Sequence, residues 1–332
     1  MATADQVKAL VKSHAEGDDA RFYSVALQVA ARAARSGHGP MAQELRDLVD
    51  SLRSRSEHPT ASRRPVPVAQ PRGELAGLLE VRYPSARLAD LVLEPTLAAR
   101  LNRVVLEQRQ GDALRSQGFT PQRRLLLIGP PGTGKTLTAH ALAGELHLPL
   151  FSLRLDSLIT KMLGETAAKL RLIFDALAET RGVYLFDEVD ALAGERSQGN
   201  DVGEIRRVLN SFLQFLEQDD SESLIIAASN HPQLLDRALF RRFETVVEYP
   251  LPSRDVARHV IQNRLATMAR GRIDWPKVLE GVVGLSHAEL TMAAEAAAKA
   301  TILSGTEKVT TSALTAAIAE RRVAVERPVV HG

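Results

Sequence analysis

Apolar positions recur at helical spacing three times before residue 55. Val7, Leu10 and Val11 form the first set, and Phe22, Val25, Ala26 and Val29 the second. Met41, Leu45, Leu48, Val49 and Leu52 form the third. Gly17 with Asp18 and Asp19 divides the first two sets. Gly37-His38-Gly39-Pro40 divides the second from the third, with proline where a first helical turn tolerates it. The pattern predicts a small all-α module over residues 1–55. Three short helices bury little apolar surface, so the module is expected to dock onto something. The periodicity then stops. Residues 56–72 are rich in Pro and Arg and predict an extended, solvated tether.

From residue 73 onward strand-like and helical runs alternate. The strand-like runs are Leu125–Ile128, Leu150–Leu153, Val183–Phe186, Leu224–Ala228 and Thr245–Glu248. Most are continuously apolar, as strands covered on both faces must be, and helical stretches separate several of them. This predicts an α/β domain over 73–251 built on a parallel sheet of five strands. Beyond residue 252 the strands vanish and helices return. Ser286 and Glu289 form a capping box at the start of one, so 252–332 reads as a helical lid.

Composition narrows this picture. The 332 residues are 45% hydrophobic and 25% charged, which excludes wholesale disorder and fibrous architectures. No run approaches the ~18 apolar residues of a membrane helix, so a cytoplasmic protein without membrane contact is expected. The absence of cysteine excludes disulfides, thiol catalysis and Cys-ligated metals. A net charge of +2 argues against a dedicated nucleic-acid binder.

Gly129-Pro130-Pro131-Gly132-Thr133-Gly134-Lys135-Thr136, followed by Leu137, matches the phosphate-binding pattern G-x-x-x-x-G-K-[ST]. The glycines let the backbone curl around phosphate oxygens, and the following helix N-terminus adds about half a positive charge. Lys135 supplies a cation for the outer phosphates, and Thr136 a hydroxyl for Mg2+. An apolar strand precedes the loop and a helical run follows it, which is the context this chemistry requires. A second cluster, Asp187-Glu188-Val189-Asp190, ends the apolar run Val183-Tyr184-Leu185-Phe186. Two adjacent carboxylates repel, and at the tip of a buried strand they make sense beside a cation. Asp187 is assigned to the ion and Glu188 to polarising a water molecule.

On these motifs the chain resembles an AAA ATPase of the AAA+ superfamily, from about residue 86 to about 325. The resemblance implies ATP and Mg2+ as cofactors, and a ring homo-oligomer, most often a hexamer. It implies that Asn230, which follows Ser229 at the end of an apolar run, is a polar sensor orienting the hydrolytic water. Leu235-Asp236-Arg237-Ala238-Leu239-Phe240-Arg241-Arg242-Phe243 is similar to the region that lends arginines to the neighbouring subunit's γ-phosphate. Two residues between the family's arginines are absent here, leaving Arg241 and Arg242 adjacent; the finger and an ion pair within the subunit are alternatives for each.

Lys161-Met162-Leu163-Gly164 stands where remodelling enzymes of the family carry a substrate-gripping pore loop, with Met162 in the aromatic position. Residues 193–201 are similar to a second pore loop. The run Gly284–Leu290 resembles the lid motif that closes over adenine, with His287 expected on the helix surface. Residues 1–55 resemble, more weakly, the leading segment of small AAA ATPases encoded beside a subtilisin-like serine protease. The expected function is remodelling, unfolding or regulation of a protein partner held by residues 1–55 and the pore. The alternatives are a nucleotide-gated switch on an adjacent enzyme and a nucleic-acid loader. No H-E-x-x-H or G-x-S-x-G is present, so proteolysis would belong to a partner.

Overall fold

The structure is a computed structural model. It describes residues 73–155, 165–193, 201–269 and 271–326, together with Ala26, Val29, Ala30 and Gln43. The chain divides into two compact units, Met1–Pro65 and Val66–Gly332. In the first, Ala26, Val29 and Ala30 are helical and buried, at the spacing of the second apolar set, and Gln43 is helical and exposed. The other expected helical positions, the tether, Lys161, Met162, Leu163, Gly164 and most of the second loop lie outside the described residues.

The second unit is built on a sheet of six strands. They are β1 (Glu80–Arg82), β2 (Arg124–Ile128), β3 (Leu150–Arg154), β4 (Val183–Asp187), β5 (Leu224–Ser229) and β6 (Thr245–Glu248). Their order is β1-β3-β4-β5-β2-β6. The five expected strands are all parallel to one another. The sixth, β1, pairs antiparallel with β3 at the edge. Its three residues are exposed or half-buried, so no apolar run announces it.

The apolar runs exist because successive strand residues point to opposite faces and both faces are covered. On β2, Leu126 joins one core and Leu125 and Leu127 the other; on β4, Tyr184 and Phe186 oppose Val183 and Leu185. The first face is covered by Thr166–Glu179 and Asp201–Gln218, whose Phe174 and Phe212 lie 5.7 and 5.1 Å from the Phe186 ring. The second is covered by Pro95–Arg109 and Lys135–Leu146, through Leu101, Val104, Ala139 and Leu142. Truncating one such leucine to alanine costs ~2–5 kcal/mol.

Helices Arg254–Arg264, Trp275–Glu280, His287–Leu303 and Thr311–Glu326 form a third core around Val260, Ile261, Leu290, Ala294, Leu314 and Ile318. The capping box expected at Ser286 forms: the Glu289 N–H donates to the Ser286 hydroxyl, and the Ser286 N–H to the Glu289 carboxylate. This helical layer meets the sheet domain at several points. Val92 packs against its core, and the Ser253 N–H donates to Glu94.

Candidate nucleotide site

Parallel register decides which strand ends meet. Ile128 of β2 lies opposite Ser229 of β5, and Phe186 of β4 opposite Ala227. The residues that follow these strands therefore gather at one edge of the sheet, where ligands of open α/β sheets bind.

The segment leaving β2 turns into helix Lys135–Leu146 through Gly134, the residue before its first turn, at φ 103°. An L side chain is strained there, which is why glycine occupies it. Lys135 is buried, and its Nζ donates to the carbonyls of Gly129 at 2.7 Å and Pro130 at 2.8 Å. The Thr133 hydroxyl also donates to Pro130 O. Burial pulls the Lys135 pKa down to about 8, against the smaller opposing pull of Asp187 and Asp190. The ammonium is thus held inside the loop by carbonyl dipoles that a phosphate could replace. Pro130, Pro131, Gly132 and Thr136 are exposed along the loop's rim, as is Leu137 beyond it.

The Thr136 hydroxyl donates to Asp187 Oδ2 at 2.9 Å, and Asp187 Oδ1 accepts the Glu188 N–H at 3.0 Å. A hydroxyl and a carboxylate so close offer hard oxygen ligands. Among the described residues no group of three or more His, Asp or Glu gathers to hold a metal by itself. Two protein oxygens suit Mg2+, which keeps several waters and takes phosphate oxygens rather than a full protein cage. Glu188 itself is in the left-handed region at φ 57°, costly for a non-glycine residue and common where function demands it.

Asn230 leaves the end of β5 half-buried, its N–H held by Asp190 Oδ1 at 3.2 Å. The adjacent arginines part ways. Arg242 forms an ion pair with Glu217 of the helix Asp201–Gln218, whereas Arg241 is exposed and no described residue pairs with it.

The lid touches the loop directly. The Ala288 N–H donates to Gly132 O at 3.0 Å, and a Cβ on Gly132, at φ 74°, would stand 2.6 Å from the Ser286 hydroxyl. The expectation that His287 lies on the helix surface is corrected here. It is half-buried, both ring nitrogens are shut off from solvent, and neither has a well-formed hydrogen bond among the described residues. It turns inward because the lid docks its first turn against the segment carrying Val92 and Glu94. Asp190 is the residue that motif reading left without a role. Only the fold brings it to Ser229 and Asn230.

The family model for the ATPase family associated with various cellular activities (AAA) matches residues 125–251. An uncharacterized AAA family ATPase of Sinorhizobium fredii is 31% identical over 327 residues, covering 98% of this chain and 92% of that protein. The proteasome-activating nucleotidase of Methanothermobacter thermautotrophicus is 36% identical over 174 residues, which are 50% of this chain and 42% of the nucleotidase. The crystal structure of the FIGL-1 AAA domain is similar at a TM-score of 0.61 and 25% identity, covering 77% of this chain and 88% of that one.

Proposed function

Because the chain belongs to the AAA family of ATPases and hydrolyses ATP, we propose that it is a Mg2+-dependent, ring-forming ATPase that remodels or regulates a protein partner in the cytoplasm. The contact between Thr136 and Asp187 carries the nucleotide half of this reading, since it joins the phosphate loop to the acidic strand tip. Lys135 would exchange its carbonyl partners for the outer phosphates, and residues 129–134 would wrap the others. Thr136 and Asp187 would hold Mg2+, which neutralises charge that develops on the phosphates. Glu188 would accept a proton from the attacking water, and Asn230 would orient that water.

Arg241 is the better candidate for the finger acting in trans, because Arg242 is already engaged with Glu217. A finger is typically worth ~10³–10⁵ in rate, so activity should rise with protein concentration as rings assemble. Mixing Arg241→Ala with Lys135→Ala protein tests this. Each lacks what the other supplies, so the mixture should regain activity if the arginine works across a subunit boundary.

A protein partner is supported by the similarity to the proteasome-activating nucleotidase, whose name ties it to the proteasome. Residues 1–55 are assigned partner choice, residues 56–72 the tether, and Lys161, Met162, Leu163 and Gly164 the grip on the partner. A pull-down with Glu188→Gln protein in ATP should retain the partner, and Met162→Ser with Leu163→Ser should release it. Retention that ignores both ATP and the loop pair would rule out gripping.

A further inference from the structure

The role of Asp190 follows from three hydrogen bonds that surround Asn230. Asp190 lies in the short 3-10 turn Val189–Ala193, directly after Glu188. Its Oδ1 accepts the Ser229 hydroxyl at 2.8 Å and the Asn230 N–H at 3.2 Å. Ser229 is 1% exposed, and its Oγ accepts the His231 N–H at 3.0 Å. The backbone on both sides of Asn230 is thus anchored, directly or through Ser229, to one carboxylate. On the other side, the Ala191 N–H donates to Glu188 O at 3.0 Å and closes the turn that carries Asp190.

We infer that Asp190 is a positioning residue, which fixes Asn230 relative to Glu188 by clamping the end of β5 to the turn after β4. The inference rests on the reading that Glu188 and Asn230 handle the attacking water. It adds that neither strand end sets the spacing alone, because each is a loop exit and the Asp190 carboxylate bonds one to the other beyond the last rungs of the sheet. The competing explanation is electrostatic: the Asp190 charge also acts on Lys135, though less than that of Asp187. The two are separable. An asparagine keeps an acceptor oxygen where Oδ1 stands and loses the charge.

The test compares ATP turnover and ATP affinity for Asp190→Ala, Asp190→Asn, Ser229→Ala and Asn230→Ala, with the double variant Asp190→Ala/Asn230→Ala. Misplacing a reacting group by about 1 Å can cost about 10²-fold, so Asp190→Ala should lower kcat by ~10–10²-fold with KM and Kd for ATP little changed. Asp190→Asn should recover kcat to within about threefold, since both donors keep their acceptor. Ser229→Ala should fall between. The double variant should be no slower than Asn230→Ala alone, as expected of residues acting through one another. Unchanged kcat in Asp190→Ala beside a slow Asn230→Ala overturns the inference and leaves the sensor reading intact. A shifted Kd for ATP, shared by Asp190→Ala and Asp190→Asn, assigns Asp190 to Lys135 instead. Full kcat in Asn230→Ala removes the role given to Asn230, and the inference falls with it. Should Asp190→Ala fail to fold, Asp190→Asn and Ser229→Ala carry the same comparison.

Discussion

The Thr136 hydroxyl reaches Asp187 Oδ2 across 2.9 Å although 51 residues separate them in the chain. Thr136 is fixed by the first turn of the helix after the loop, and Asp187 by the tip of β4. The pair is a link between the two motifs and, on the proposed reading, the protein's share of a Mg2+ site. Thr136→Ala and Asp187→Asn should each lower Mg2+-activated turnover by ~10²-fold or more, since the ion supplies several kcal/mol of charge stabilisation. A Mg2+ titration of the hydrolysis rate measures this. Turnover of either variant at the wild-type rate and Mg2+ midpoint would remove the pair from the metal site.

On the proposed reading, Lys135 sets a pH limit on nucleotide binding. Its pKa in the nucleotide-free protein is about 8, below the ordinary 10.5, because burial penalises the ammonium. Phosphate oxygens favour the charged form, so binding takes up a proton above pH 8. ATP affinity should therefore be flat below pH 8 and fall above it, by at most about tenfold per pH unit. The Kd of a fluorescent ATP analogue measured from about pH 7 to about pH 10 gives the profile. Constant affinity over that range contradicts the prediction.

Glu188 sits in a backbone region that favours glycine. Glu188→Gln should bind ATP and fail to hydrolyse it. Glu188→Gly and Glu188→Ala should both be inactive, but the glycine variant should be the more stable by about 1 kcal/mol, because only alanine retains the Cβ penalty. Chemical denaturation of the two without nucleotide makes the comparison. Equal stability would show that the left-handed conformation carries no strain.

His287 gives the folded state an acid limit. Burial holds its pKa below the ordinary 6.5, and the Val92 backbone and the Glu94 carboxylate only partly oppose this. The unfolded chain then binds more protons than the folded one as the pH drops through 6.5, so stability falls in that direction. His140 is depressed in the same sense, by burial and by Arg82, and adds to the slope. His287→Gln should flatten, without abolishing, the decline in Tm between about pH 7 and about pH 5. An unchanged decline would place the titration elsewhere.

The sequence by itself determined the features written in neighbouring residues. The turn from Gly129 to Thr136 and the helix after it were legible because each part is local backbone chemistry. Of the five expected strands, β2, β4 and β5 were the most legible, because their central residues are buried on both faces and are therefore apolar. Ser286 and Glu289 declared a helix start because a capping box closes within four residues. Tertiary structure decided everything that depends on register and docking. Strand β1 is a strand only because β3 offers it an edge. Arg242 and Arg241 are alike in sequence and differ because one faces Glu217. His287 follows a well-formed cap and should point outward by local rules, yet the lid's seat against Val92 and Glu94 turns it in. Asp190 reads as one more acid in a charged run until β4 and β5 align and carry it to Ser229 and Asn230, 39 and 40 residues away. Local propensity cannot encode such pairs, because the energy that fixes them comes from apolar surface buried between elements distant in the chain.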